Sequence, residues 1–166
     1  MEKRIFAVLF VAAAAFFGGL LFYVNTAPVP PGIGIGSAAI EVIAIDSRGT
    51  AFKLSEHKGK IVVIDFMTTG CPYCVEELKD IKQIQGRKDV SFASILLDVG
   101  LTTQALDEFE KTNAVTWFLG TSLQAGGEYK VTAVPTMLII DRAGVIRYRG
   151  YYTSVDKIEA VINQIG

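Results

Sequence analysis

Ile61-Val62-Val63-Ile64-Asp65-Phe66-Met67-Thr68-Thr69-Gly70-Cys71-Pro72-Tyr73-Cys74 is the stretch that decides the fold. Its first seven residues are apolar on both faces of an extended chain except at Asp65, the pattern of a central strand covered on both sides. Beyond it, Val75, Leu78, Ile81 and Ile84 recur at helical spacing, with Glu76, Glu77, Lys79 and Lys82 between them on the predicted polar side. Pro72 suits the first helical turn, where a missing N–H costs nothing. The chain's two cysteines therefore sit at a strand-to-helix junction. A disulfide between residues so close in sequence closes almost no loop and adds little stability. It can form and break with little backbone movement, which points to thiol–disulfide exchange.

Outward from this junction the chain reads as alternating strands and helices. Residues 40–45 and 50–54, with Asp46-Ser47-Arg48-Gly49 between them, predict a hairpin. Strands are expected over 90–99, 115–119, 136–140 and 145–149, and helices over 102–112 and 122–129. A last helix starts at Ser154 as its cap and carries Val155, Ile158, Val161, Ile162 and Ile165. Such an order indicates an α/β architecture with a mixed sheet.

Residues 5–24 (IFAVLFVAAAAFFGGLLFYV) carry no charge and match the roughly 30 Å hydrocarbon thickness of a bilayer as a helix. Lys3 and Arg4 precede the run and no basic residue follows until Arg48, so the positive-inside rule sends the rest of the chain across the membrane. A cleaved signal peptide is the competing reading, but Asn25 and Pro28 flank its cleavage site poorly. The expectation is a single-pass signal anchor over 1–24, a Pro/Gly-rich tether over 25–39, and a domain over 40–166 on the extracytoplasmic side of the cell membrane. Without Glu2, Lys3 and Arg4, the 16 basic and 17 acidic residues become 14 and 16, a net of −2. That balance leaves no nucleic-acid footprint.

Taken together, these motifs resemble the thioredoxin superfamily and, within it, the membrane-tethered TlpA/ResA-like thiol–disulfide oxidoreductases. The resemblance covers residues 40–166. Phe52-Lys53-Leu54-Ser55 and Lys58-Gly59-Lys60 are similar to the family's lead-in to the central strand, and Asp65 stands where thioredoxins carry a buried carboxylate. Val134-Pro135-Thr136 resembles the cis-proline segment, and residues 139–146 the strand–turn–strand that follows. Sixty-four positions separate Cys71 from Pro135, and the excess over a plain thioredoxin is similar to the helix–strand insert of the TlpA-like branch. The resemblance implies a thioredoxin-like fold: a central mixed β-sheet flanked by helices, with an N-terminal β-hairpin and a helix–strand insert, preceded by one transmembrane helix. One departure is that Met67, Thr68, Thr69 and Gly70 stand where the family has flanking tryptophans, and Gly70 should open the rim of the site.

Cys71, expected at the helix N-terminus where unpaired N–H groups favour a thiolate, is the candidate nucleophile, and Cys74 the resolving thiol. A zinc half-site is the bland alternative, but His57 is the single histidine. Two readings of Asp65 stand side by side: a buried proton acceptor for Cys74, or a carboxylate satisfied by a nearby lysine or hydroxyl. Pro135 could be a trans proline at a strand start; the resemblance implies instead that it is cis and that the Val134 backbone pairs with substrate. Pro72 and Tyr73 are expected at the substrate-binding rim, with plain exposure as the alternative for Tyr73. His57 reads as solvated, and Trp117 and Phe118 as core.

The resemblance implies protein disulfide or dithiol substrates, a membrane thiol electron carrier as partner, membrane attachment through the N-terminal helix, and no cofactor. It also implies a reductant, for example in cytochrome c maturation. Two other classes stay open. Thr68-Thr69-Gly70-Cys71 contains a T-x-x-C similar to that of peroxiredoxins, which would make the chain a thiol peroxidase. A copper-delivering or chaperone-like protein would need extra His or Met ligands, and only Met67 is close.

Overall fold

The computed structural model describes residues 28–166, and the expected membrane span lies outside the described residues. Among the described residues no helix is long and apolar enough to cross a membrane. The strands are β1 (Pro31–Gly32), β2 (Ala38–Ala39), β3 (Ile43–Ile45), β4 (Ala51–Lys53), β5 (Ile61–Met67), β6 (Val90–Leu96), β7 (Phe118–Thr121), β8 (Thr136–Ile140) and β9 (Ile146–Gly150). The helices are α1 (Pro72–Ile84), α2 (Thr103–Thr112), α3 (Leu123–Glu128) and α4 (Val155–Ile165). Seven strands form one mixed sheet in the order β4-β3-β7-β6-β5-β8-β9. β5, β6 and β7 run parallel, and β8 lies antiparallel to β5, so the expected mixed sheet with flanking helices is what the chain forms.

Strand alternation sorts the core. Ile61 and Val63 face Ile81 and Ile84 of α1 and Ile158, Val161 and Ile162 of α4. Val62, Ile64 and Phe66 point the other way, toward Phe52, Ala125 and Tyr129. A third cluster under the end of β5 joins Met67, Cys74 and Leu78 to Leu106 and Leu119. All seven residues of β5 are buried, because α1, α2 and α4 cover one face of the sheet, and α3 with Ile33, Ala39 and Ile40 of the N-terminal segment packs on the other.

The hairpin turn is held by Asp46, whose Oδ1 accepts from the N–H groups of Arg48 at 2.8 Å and Thr50 at 2.7 Å. Gly120 is required where β3 meets β7: a side chain there would stand 2.7 Å from Ile45 O.

Several expectations need correction. The tether expected over 25–39 is structured in its second half. Ala38 bridges Val145, Gly36 N donates to Ile146 O at 2.8 Å, and Ile146 N donates to Ser37 O at 2.9 Å. Pairing through the main chain needs no apolar side chains, so composition concealed it. β7 starts at Phe118 rather than Val115, because Ala114 takes a positive φ of 47° and the chain turns before it extends. Trp117 is half-buried and donates from Nε1 to Ser94 Oγ at 3.0 Å. His57 is not simply solvated: it stacks on Phe52 with ring centroids 4.6 Å apart, and its Nδ1 lies 3.0 Å from Ser91 Oγ. Burial, then Lys60, pushes its pKa below the ordinary histidine value. Ser154 is the residue before α4 but makes no side-chain cap bond.

Candidate active site

Parallel strands end on the same edge of the sheet, and the site lies at the C-terminal end of β5, the most buried strand. Residues 68–70 carry the chain from β5 to α1. Their path is held by Asp98, in the loop after β6. Its carboxylate accepts from Thr69 N at 3.0 Å and from Thr69 Oγ1 at 2.7 Å. Sequence reasoning did not single out Asp98. Gly70 is exposed, and a side chain added there would meet nothing within 4 Å, so the rim is open as expected.

Cys71 is the N-cap of α1 and Pro72 opens the helix. The Cys74 N–H donates to Cys71 Sγ at 3.2 Å, which puts a helix-terminal amide on this sulfur. Cys71 and Cys74 are joined as a disulfide with their Cα atoms 5.2 Å apart. Cys71 is half-buried, whereas Cys74 has no exposed surface. The Val134–Pro135 bond is cis, Pro135 is buried, and Val134 O lies 3.8 Å from Cys71 Sγ. Tyr73 is 71% exposed. Its ring meets that of Tyr152 edge to face, 6.4 Å between centroids, and the Tyr152 hydroxyl donates to Asp80 Oδ2 at 2.8 Å.

Asp65 shares the face of β5 that carries Ile61, Val63 and Met67, so it points under α1. It is fully buried, and neither carboxyl oxygen has a hydrogen-bond partner. No lysine or hydroxyl satisfies it. What lies against it is Glu77, also with no exposed surface, expected on the polar side of α1. The signal was in the helical period: Glu77 is three residues after Cys74 and four before Ile81, within the stripe that Leu78 and Ile84 continue inward. Glu77 Oε1 accepts from Thr153 N at 2.6 Å, and Oε2 is unpartnered. Burial raises both carboxyl pKa values, and the Asp65 charge raises that of Glu77 further. The arrangement is a pair of buried carboxyls, both shifted toward the protonated form, set against the helix that carries the cysteines.

The site thus brings Cys71 together with Val134 and Pro135, with Pro72 and Tyr73 exposed beside it, Cys74 buried below it, and Asp65 beneath α1 beside Glu77. Among the described residues no group of three or more His, Cys, Asp or Glu is placed to hold a metal ion.

Residues 35–163 match the Redoxin family. The chain belongs to that family. Within this Redoxin protein, similarity extends to curated relatives. It is 25% identical over 146 residues to the thiol-disulfide oxidoreductase ResA of Geobacillus kaustophilus, covering 85% of this chain and 82% of that one. It is 24% identical over 132 residues to ResA of Geobacillus thermodenitrificans, covering 78% and 76%. Among solved structures it resembles the thioredoxin domain of a thiol-disulfide oxidoreductase from Bacteroides vulgatus, with a TM-score of 0.68 at 19% identity over 81% of this chain and all of that one. A DsbF homologue from Corynebacterium diphtheriae gives a TM-score of 0.68 at 17% identity, over 77% and 86%. These likenesses establish the thioredoxin-like fold. Family, relatives and a CxxC at the strand-to-helix junction agree on the activity class: this Redoxin protein is a thioredoxin-like disulfide oxidoreductase of the TlpA/ResA-like group.

Proposed function

We propose that the chain is a membrane-tethered, extracytoplasmic reductant of protein disulfides. The observation that carries the chemistry is the asymmetry of the pair: Cys71 is reachable at a helix N-terminus and Cys74 is sealed beneath it. In the reduced protein the Cys71 thiolate attacks a substrate disulfide, forming a mixed disulfide and releasing one substrate thiolate. Cys74 then loses its proton and attacks Cys71 Sγ. The Cys71–Cys74 bond forms, the second substrate thiolate leaves, and two electrons have passed to the substrate. The Asp65–Glu77 pair serves as acceptor for the Cys74 proton, since raised carboxyl pKa values suit a group that takes a proton near neutral pH. Val134, Pro135, Pro72 and Tyr73 form the rim on which the substrate chain lies.

One dithiol holds two electrons, so each turnover leaves the domain oxidised. Outside the cytoplasm disulfides persist, so a membrane thiol carrier is assigned the task of reducing Cys71–Cys74 again. The relatives named ResA support this assignment, and cytochrome c apoproteins are one substrate class for it. The apolar, charge-free run over residues 5–24 with Lys3 and Arg4 before it supports the tether and its orientation.

The test is the equilibrium potential of Cys71/Cys74 against glutathione or dithiothreitol. A value near about −270 mV is expected, and one near about −120 mV would mean that the protein inserts disulfides instead.

A further inference from the structure

We propose that the end of the domain opposite Cys71 is a docking surface for anionic phospholipid headgroups, which holds the domain on the bilayer with its dithiol facing away. The proposal rests on the tethered reading above for where the bilayer lies, and on the structure for which face meets it.

Because β5 and β6 are parallel, their N-terminal ends share the edge of the sheet that lies away from Cys71. The antiparallel β8 ends there too, so the β8–β9 turn joins the loops before β5 and β6. Contacts tie the three together: Gly59 N donates to Arg142 O at 3.2 Å, and Ile61 N to Asp89 O at 3.2 Å. This end carries Lys58, Lys60, Arg87, Lys88 and Arg142. Most of its carboxylates are engaged internally, Asp89 by Arg87 at 3.0 Å and Arg142 at 3.9 Å, Asp141 by Arg147 at 2.6 Å and Glu56 by Lys53 at 3.0 Å, while Glu159 stands near Arg87. Lys58, Lys60 and Lys88 are exposed, and among the described residues none of them has an ion-pair partner. The Cys71 end presents Asp98 instead, held against Thr69.

A cavity of about 310 Å³ opens at the same end, with Leu54, Val62 and Ile140 as its buried apolar wall and Lys58 and Lys60 exposed along it. Glu41 and Asp141 also line it, Glu41 Oε1 accepting from Ser55 N and Asp141 Oδ2 from Arg147 Nε at 2.6 Å, which leaves the two lysines as its unpaired charges. Cations around an apolar recess match a surface whose charge is phosphate and whose interior is glycerol and acyl chain.

The path of the chain supplies the second, independent argument. Ala39 N donates to Gly144 O at 2.8 Å and Ala38 N to Pro30 O at 3.0 Å, so the N-terminal segment enters the domain at this basic end. Residues 25–30 are all that separate the apolar run from Pro31, a reach of roughly 20 Å when fully extended. The basic end is therefore held within a few Debye lengths of about 8 Å from the headgroups. Each lysine at an anionic surface strengthens binding roughly fivefold.

The test uses the full chain reconstituted in phosphatidylcholine vesicles, with and without about 30% phosphatidylglycerol. Lysines are acetylated with an N-hydroxysuccinimide ester and read by mass spectrometry, Lys79 and Lys111 serving as internal controls. Expected is a several-fold fall in labelling at Lys58, Lys60 and Lys88 with the anionic lipid, reversed by about 0.5 M salt and unchanged at the controls. Equal labelling in both lipids overturns the proposal. Flotation with neutral vesicles reads the tether by itself, and failure to float there sinks the tethered reading. In that event, flotation with anionic vesicles that is lost in Lys58→Glu/Lys60→Glu still supports the docking surface. Flotation indifferent to that variant removes it.

Discussion

The backbone N–H of Thr153 donates to Glu77 Oε1 at 2.6 Å, the one hydrogen bond recorded for this buried carboxyl among the described residues. The bond ties α1, which carries both cysteines, to the loop between β9 and α4. A second tie a turn later, from Tyr152 to Asp80, runs in parallel at the surface. The loop beside the site thus follows α1, and the carboxyl that faces Asp65 on its inner side holds the loop on its outer side.

Replacing that carboxyl separates its two roles. Glu77→Gln keeps a carbonyl oxygen for Thr153 N–H, whereas Glu77→Ala leaves a buried donor unsatisfied, at a cost of about 1–3 kcal/mol. Urea denaturation of the oxidised domain should therefore show Glu77→Ala clearly less stable than Glu77→Gln. Equal stability of the two variants would mean that the Thr153 contact contributes nothing.

Asp65 contributes to how stability varies with pH, and Glu77, raised by burial and by Asp65, adds in the same direction. The pKa of Asp65 is raised by burial to about 7, so between its unfolded value and that pH the folded state binds the extra proton. Stability from this group is present at low pH and is lost as pH rises through about 7. Asp65→Asn should therefore gain on the order of 2 kcal/mol over the parent at pH 8 and little at pH 4. Its rate of disulfide exchange should fall at the same time. Denaturation midpoints at the two pH values, with stopped-flow exchange rates, check both halves.

Cys71 is the thiol that meets reagents first. After reduction, iodoacetamide should label Cys71 well before the sealed Cys74, and at a pH below the free-thiol value of about 8.5. A Cys74→Ser variant should accumulate mixed disulfides with substrate proteins, while Cys71→Ser should not. Peptide mapping of the first label decides the assignment.

Asp98 sets the approach to Cys71. Asp98→Ala removes the acceptor for both Thr69 groups and should cost about 1–2 kcal/mol, with slower exchange. Asp98→Asn keeps an acceptor oxygen and should restore most of the rate. If both variants exchange at the parental rate, the Thr69 clamp plays no part in placing the cysteine.

Much of this was legible in the sequence where side-chain pattern and structure coincide. The uniform apolarity of residues 61–67 announced a central strand, and the period of Val75, Leu78, Ile81 and Ile84 announced the helix that carries Cys74. Legibility failed where the decisive interaction belongs to the backbone or to a pair of residues. Residues 36–39 look like a spacer because their pairing with β9 uses N–H and C=O groups that every residue has. Glu77 looks solvated because a lone carboxyl is read as polar, and only the burial of both Glu77 and Asp65 makes the two a unit. Asp98 is invisible in the sequence because its partner stands 29 positions earlier.

The pairing of residues 36–39 with the start of β9 also bears on how the sheet avoids its own kind. An open sheet has two borders, and each is a template on which a foreign strand can add. Here one border is partly occupied by the chain's own N-terminal segment, which takes both main-chain groups of Ile146. The other is β4, three residues long and ending in the exposed Lys53. Neither offers a long bare run, so a domain whose work is to hold other polypeptides covalently presents them with a sulfur but little edge to zip onto.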